Sequence, residues 1–309
     1  MSSSEWYASN RKALMERVGW IKKEPNGVLC EKQSDLHRIV IVKSDDLLRM
    51  CFVDPAGSGE ELTSSGAMSA LSLEDPVDLS PTPYNQAFML TLLLRNRPER
   101  IYVAGFGGGR VPLAFHHHFP HAVIDSTEID VELPELARKY FAVEYDRRQR
   151  LHLMDSRKFL EIAGSLDWYD LMFIDAFRGG GNAPAHLATM EFYRACRMRL
   201  NPGGVVAVNL VESDPLFGQR MATLVNSFES TYVHIDRTTV VFCVDAQPVC
   251  SSDLSRRAGL IQQEHNFAFD FIQRASALKP LAAVERLWTM VEQNAILTDL
   301  AFAGFLAAN

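Results

Sequence analysis

A cluster of glycines after an apolar stretch is the strongest chemical signal in this 309-residue chain. Residues 100–104 have the composition of a β-strand, and a predicted helix begins near residue 111. Between them lie Gly105, Gly107, Gly108 and Gly109. Glycine lets the backbone turn sharply and approach a ligand closely. The cluster therefore indicates a nucleotide-binding turn, with an ordinary structural turn as the alternative.

Acidic residues stand at the ends of the next three predicted strands. Glu128 ends the second strand, 23 positions after Gly105. Asp155 follows the third strand and Asp175 the fourth. A carboxylate at Glu128 suits the two hydroxyls of a ribose, and one at Asp155 suits an adenine amino group. Since the carboxyl ends of parallel strands meet at one edge of a sheet, one crevice would collect these residues, unless Glu128 and Asp155 are ordinary solvated strand ends.

An alternation of strands and helices would position these side chains. After about residue 85, strands are predicted at 100–104, 122–128, 150–154, 171–175, 204–210, 230–235 and 239–244, with helices such as 133–140, 156–163 and 190–199 between them. This spacing is typical of a parallel sheet with helices on both faces. Upstream, two short β runs within residues 36–53 flank Ser44-Asp45-Asp46, which predicts a hairpin.

We therefore expect an α/β protein with four parts. These are an N-terminal helix and candidate lid at 1–30, a small β domain at 31–75, a nucleoside-binding domain at 76–250, and C-terminal helices at 251–309 that break near Lys279-Pro280. In the first helix, Trp6, Tyr7 and Trp20 would either exclude water from the pocket as a lid does or pack on the domain.

Composition and charge exclude several classes of function. The 31 Lys and Arg against 38 Asp and Glu give a net charge of −7, which disfavours nucleic-acid binding. Apolar runs are too short to span a bilayer, no signal peptide is evident, and the odd set of five cysteines lacks a C-x-x-C pair. We expect a cytoplasmic protein that binds neither nucleic acid nor membranes. No metal is expected either, because His116, His117 and His118 fan out around a helix by about 100° each.

Several motifs together resemble the spermidine synthase-like (polyamine aminopropyltransferase) family of class I S-adenosylmethionine-dependent transferases. The resemblance extends over about residues 38–210 and includes Pro83-Tyr84 just before a helix. Its carriers are Gly105-Phe-Gly-Gly-Gly109, Glu128-Ile-Asp130, Ala137-Arg-Lys-Tyr-Phe141, Asp155-Ser-Arg157, Tyr169-Asp-Leu-Met-Phe-Ile-Asp-Ala-Phe177, Pro184-Ala-His-Leu187 with Thr189, Glu191-Phe-Tyr193 and Leu200-Asn-Pro-Gly-Gly204.

The resemblance implies a Rossmann-like, seven-stranded, doubly wound sheet with a small N-terminal β-hairpin domain. It also implies a homodimer, a small-molecule amine substrate, and S-adenosylmethionine or its decarboxylated form as co-substrate. Asp175 would be the catalytic base beside the sulfonium, and Tyr84 would face the acceptor. The donor-binding set would be Gly105, Gly107, Gly108, Gly109, Glu128, Asp155 and Ser156, and the substrate-side candidates are Phe177, Arg178, His186 and Asn209.

Three positions depart from the family pattern. Gly108 stands where spermidine synthases carry the aspartate that binds the donor's amine, and Arg178 stands where a second carboxylate is expected. Residues 62–65 contain no match to the family's acceptor-side glutamine. Because Arg110 and Arg178 would lie near the crevice, the charge balance favours a donor that keeps its α-carboxylate.

The expected reaction is transfer of an aminopropyl or 3-amino-3-carboxypropyl chain to a nitrogen nucleophile, with release of methylthioadenosine. The nucleophile is an acceptor amine or the donor's own nitrogen. One alternative is a methyltransferase, since the sequence does not decide which carbon of the sulfonium is attacked. A second alternative is a non-catalytic sensor of adenosyl ligands.

Overall fold

The computed structural model describes residues 3–53, 67–162, 168–177, 183–265 and 267–301. Within these ranges the strands form two β-sheets. The small sheet is antiparallel, with the order β1-β2-β3-β4, and its strands are β1 (Gly27–Gln33), β2 (Arg38–Ser44), β3 (Leu47–Val53) and β4 (Ala67–Ser72). The predicted hairpin is its centre, β2 and β3, joined through Asp45 in the left-handed region at φ 51°.

The small sheet is larger than the predicted hairpin. Strand β1 was missed because it is mostly exposed and lacks a clear alternation of apolar and polar residues. Strand β4 was missed because it is rich in Ala and Ser, which are weak strand formers. Its inner residues are nevertheless buried, so tertiary packing rather than local propensity makes it a strand.

The large sheet contains the seven predicted strands and one short addition. Its order is β12-β10-β11-β9-β8-β5-β6-β7. The strands are β5 (Arg100–Ala104), β6 (Val123–Glu128), β7 (Gln149–Leu153), β8 (Tyr169–Ile174), β9 (Leu200–Leu210), β10 (Ser230–Ile235), β11 (Thr239–Val244) and the two-residue β12 (Lys279–Pro280). Strands β5 to β9 pair in parallel, while β10, β11 and β12 make antiparallel pairs. The doubly wound α/β fold is confirmed.

The direction of winding reverses at β5. The chain proceeds from β5 outwards to β6 and β7, then returns to place β8 against the opposite edge of β5. Such a switch point leaves a crevice at the carboxyl ends of the two central strands, where open α/β sheets bind ligands.

Helices cover both faces of the large sheet. They are α1 (Ser3–Val18), α2 (Pro83–Phe88), α3 (Arg110–His118), α4 (Leu133–Tyr140), α5 (Ser156–Glu161), α6 (Met190–Arg197), α7 (Phe217–Ser227), α8 (Ser251–His265), α9 (Phe271–Ser276) and α10 (Glu285–Gln293). Along β5, Ile101 and Val103 face the core under α2, α3, α8 and α9, whereas Tyr102 and Ala104 face the core under α5, α6, α7 and α10. This alternation follows from the two-residue period of a strand.

The first helix contacts the end of α3 that is distant from the glycine turn. The Trp6 indole donates to the His117 carbonyl at 2.9 Å, and the Tyr7 hydroxyl donates to the His118 carbonyl at 3.1 Å. Both carbonyls lie at the C-terminal end of α3, whereas the glycine turn precedes its first residue. These contacts favour packing on the domain over closure of the pocket.

The rings of the three consecutive histidines turn to different partners. His116 Nε2 lies 3.0 Å from Asp146, His117 Nδ1 lies 2.8 Å from Asn10, and the His118 ring packs on Phe267. Within the described ranges, no three His, Cys, Asp or Glu side chains are grouped to hold a metal ion, and no helix is long and apolar enough to cross a membrane.

Candidate functional site

The glycine turn between β5 and α3 has a backbone that only glycine adopts easily. Gly105, Gly107 and Gly109 have φ values of 87°, 53° and 66°, in the left-handed region. A Cβ on Gly105 would lie 2.6 Å from the carbonyl oxygen of Asp175, so the turn and the end of β8 are in direct contact. The turn therefore forms one wall of the crevice, and Asp175 stands at its edge.

Gly108 is held by the small sheet. Its N–H donates to Ser69 Oγ at 2.9 Å, and a Cβ on Gly108 would lie 2.8 Å from the Cβ of Ser69. Ser69 lies on β4 and is buried. Ser69 was not predicted as a site residue, because β4 was not predicted and a lone serine carries no signal of its own.

Glu128, at the end of β6, binds the backbone of the turn with both carboxylate oxygens. Oε2 accepts from the N–H groups of Phe106 at 3.1 Å and Gly107 at 3.3 Å. Oε1 accepts from the N–H groups of Ile129 at 2.7 Å and Asp130 at 3.0 Å. Four N–H donors use all the acceptor sites of a carboxylate, so Glu128 fixes the conformation of the turn.

Asp155 and His186 lie together on the other side of β6. Asp155 caps α5 by accepting from the N–H groups of Arg157 and Lys158, and its second oxygen lies 2.8 Å from His186 Nε2. The hydrogen bond with His186 and the two backbone donors lower the pKa of Asp155 below its usual range, although partial burial opposes them. Asp155 therefore remains an ionised acceptor.

The hydroxyl of Ser156 is directed into the core. It bonds to Thr127 Oγ1 at 2.8 Å, and that atom lies 2.9 Å from the hydroxyl of the buried Tyr102. Its contribution to the crevice is thus the position of its backbone at the start of α5.

Asp175 forms the centre of a second hydrogen-bonded group. Its Oδ1 accepts from Asn209 Nδ2 at 3.0 Å, and the hydroxyl of Tyr84 also bonds to its carboxylate. Removal of the carboxyl group from water raises its pKa to about 7, although these two hydrogen bonds act in the opposite direction. A carboxyl group with this pKa can take up or release a proton near neutral pH.

Comparisons with known proteins give a consistent result. No family model matches the chain. It is 30% identical over 207 residues to a polyamine aminopropyltransferase of Vibrio vulnificus, an alignment that covers 66% of each protein. A probable spermidine synthase from Corynebacterium glutamicum shares the fold with a TM-score of 0.66, over 89% of this chain and 97% of that one, at 18% identity. This chain belongs to the spermidine synthase-like family.

The same family fold also occurs in methyltransferases with detectable similarity. A human eEF1A lysine and N-terminal methyltransferase is 31% identical over 131 residues, which cover 40% of this chain and 19% of that protein. The structure of human methyltransferase-like protein 13 in complex with SAH has a TM-score of 0.56 at 26% identity, over 60% of this chain and 93% of that one. The chain thus spans about a fifth of the length of the curated eEF1A methyltransferase.

The substrate-side candidates of this spermidine synthase-like chain are only partly brought together. Asn209 contacts Asp175, while His186 contacts Asp155 instead. Phe177 is partly exposed two residues after Asp175. Arg178 and residues 62–65 lie outside the described residues.

An open cavity of about 540 Å³ lies beside α4 and the segment that follows it. It is lined by Arg17, Glu135, Arg138, Lys139, Val143, Glu144 and Tyr145. None of the predicted site residues lines this cavity, so it is separate from the crevice described above.

Proposed function

We propose that this chain binds an adenosyl sulfonium between the ends of β5 and β8 and transfers its aminopropyl or 3-amino-3-carboxypropyl chain to a nitrogen nucleophile. Methylthioadenosine leaves. The observation that carries the proposal is Asp175, which bonds to Tyr84 and Asn209 beside the glycine turn and has a pKa near neutrality.

The nucleoside would be held by the carboxyl groups of Asp155 and Glu128. Asp155 accepts from the adenine amino group, and Glu128 accepts from the ribose hydroxyls. Since all acceptor sites of Glu128 are in use, the ribose must replace its bonds to the N–H groups of Phe106 and Gly107. Donor binding would therefore rearrange the glycine turn.

Asp175 would act as the general base. The nitrogen lone pair attacks the carbon bonded to the sulfonium, the C–N bond forms, and the C–S electron pair returns to sulfur. The proton that the nitrogen then loses goes to the carboxylate of Asp175. A negative group here also reduces the repulsion between a cationic donor and an amine, while fixed orientation of the two reactants supplies much of the rate.

Methyl transfer is the second candidate, favoured by the methyltransferase relatives and by the SAH complex among the structural neighbours. The same crevice would hold the sulfonium, and the methyl carbon rather than the chain carbon would face the nucleophile. Asp175 would accept the same proton.

Product analysis separates these functions. The protein is incubated with S-adenosylmethionine or its decarboxylated form, with and without putrescine, and the products are identified by mass spectrometry. Methylthioadenosine with a lengthened amine supports chain transfer, and its formation without putrescine supports attack by the donor's own nitrogen. S-adenosylhomocysteine would identify a methyltransferase, and binding without turnover would identify a sensor.

A further inference from the structure

We propose that Arg110 binds the α-carboxylate of the sulfonium donor, and that the donor is therefore S-adenosylmethionine rather than its decarboxylated form. The inference rests on the proposed function, because it requires the sulfonium to lie between the glycine turn and Asp175. It holds whether the chain or the methyl group is transferred.

Arg110 is a buried cation with free donors. It is the first residue of α3, directly after the turn, and only 3% of its surface is exposed. One nitrogen, Nη2, donates to the Asp78 carbonyl at 3.0 Å, whereas Nε and Nη1 have no hydrogen-bond partner among the described residues. Buried donors without acceptors are costly, and a buried charge without a partner more so, which makes this guanidinium a candidate ligand-binding group.

The two carboxylates whose charges act on Arg110 make their hydrogen bonds with other groups. Asp75 pairs with Arg11 at 2.7 Å. Asp78 accepts from the backbone N–H and the hydroxyl of Ser80. Burial lowers the pKa of Arg110 to about 10, although the charges of Asp78 and Asp75 oppose this shift, so the side chain remains a cation at neutral pH. It therefore remains a cation whose Nε and Nη1 make no hydrogen bond to these carboxylates.

The guanidinium is bonded to the segment that leads into α2, because its Nη2 donates to the Asp78 carbonyl and Tyr84 is the second residue of that helix. Its charge acts on Tyr84, whose hydroxyl bonds to Asp175. With the donor's sulfur beside Asp175, the amino-acid end of the donor would extend towards the guanidinium. Arginine binds carboxylates through charge-assisted hydrogen bonds, and the N–H groups of Nε and Nη1, which point to different sides of the guanidinium, are both available as donors.

The lack of space at Gly108 also favours S-adenosylmethionine as the donor. An acidic side chain there would pair with an amine that lacks its carboxylate, but any Cβ at this position would lie 2.8 Å from the Cβ of Ser69. The site thus contains the Arg110 cation, and it has no room for an acidic side chain at position 108. That balance favours a donor that carries both an ammonium and a carboxylate group.

Binding calorimetry tests the proposal with three ligands, namely S-adenosylmethionine, its decarboxylated form and methylthioadenosine, which has neither end group. The parent should bind S-adenosylmethionine at least about tenfold more tightly than the decarboxylated form. Arg110→Met should weaken S-adenosylmethionine binding about 10- to 100-fold and change the affinity for methylthioadenosine by no more than about twofold. Without ligand, the variant should melt no lower than the parent protein, because it removes a buried charge that has no ion-pair partner within the described part of the chain.

Two further variants make the result decisive. Arg110→Lys keeps the charge and should retain part of the preference, even if Arg110→Met does not fold. Arg197→Met removes an exposed arginine that pairs with Asp245 and should change none of the three affinities. The proposal is overturned if the parent prefers the decarboxylated donor, or if Arg110→Met weakens all three ligands equally. If the parent binds none of them, the proposed function itself is wrong.

Discussion

The carboxylates in the two halves of the crevice differ in their hydrogen-bond donors and in their exposure to water. In the half that we propose to bind the donor, called the donor half and formed by the glycine turn, Glu128 and Asp155, each carboxylate accepts several hydrogen bonds, most of them from backbone N–H groups. In the half that we propose to face the amine, called the acceptor half and formed by Asp175, Tyr84 and Asn209, the carboxylate has one amide donor and one phenol donor and is largely removed from water.

This difference separates binding from proton transfer. The hydrogen bond with His186 and the two backbone donors stabilise the ionised form, so Asp155 stays charged, and its geometry is fixed by a helix terminus. Asp175 lacks backbone donors to its carboxylate among the described residues, and burial raises its pKa to about 7. The acceptor half therefore contains the carboxyl group whose charge changes near neutral pH, as a general base requires.

The largest expected effect comes from Asp175→Asn. The amide cannot take a proton from the attacking nitrogen, so turnover should fall about 10²- to 10⁴-fold. Donor affinity should stay within about twofold, because Glu128 and Asp155 hold the nucleoside. Rate measurements and calorimetry on the same preparation check this, and equal losses of turnover and affinity would contradict the division into halves.

The same variant also gives a stability readout. Asp175 binds its proton more tightly in the folded chain, with a pKa of about 7, than in the unfolded chain, where it is about 3.9. Its stabilising contribution is complete below the unfolded pKa and is lost as the pH rises through 7. Asp175→Asn should therefore melt higher than the parent at pH 8, and the difference should shrink towards pH 5.

An intermediate effect is expected for Glu128→Ala. The variant removes the acceptor of the ribose hydroxyls and four hydrogen bonds to the backbone. Methylthioadenosine affinity should weaken by about 1–3 kcal/mol, and the melting temperature should fall as well. Glu135→Ala, on the exposed side of α4, is the matched control and should change neither quantity. Unchanged affinity in calorimetry would remove Glu128 from the site.

The smallest effect is expected for Tyr84→Phe. The Tyr84 hydroxyl lowers the pKa of Asp175, so its removal should move the rise of kcat/KM with pH to higher pH. At pH 8, where Asp175 is ionised in both proteins, the rate should fall by less than about tenfold. A pH–rate profile measured with both proteins checks this, and an unmoved or acid-shifted profile would show that Tyr84 does not act through Asp175.

Local sequence patterns predicted most of the large sheet. Strands β5, β10 and β11 and helix α4 have the predicted bounds, because strong apolar periodicity and short loops define them. The expected roles of Glu128 and Asp155 were predicted from their positions at strand ends, and the resemblance to the family implies the same roles. Strands β1 and β4 were not predicted because their residues are exposed or small.

The sequence by itself determined the order of strands and helices, the glycine turn, and the acids that end three successive strands, because these features depend on composition and spacing along one segment. Tertiary structure decided the contact of Ser69 with Gly108, the two free donors of Arg110, and which carboxylate is surrounded by backbone N–H groups. The charged neighbours, the burial and the hydrogen-bond partners of each of these side chains depend on segments that are distant in sequence. The same residue type therefore becomes a fixed acceptor at Asp155 and a titrating group at Asp175.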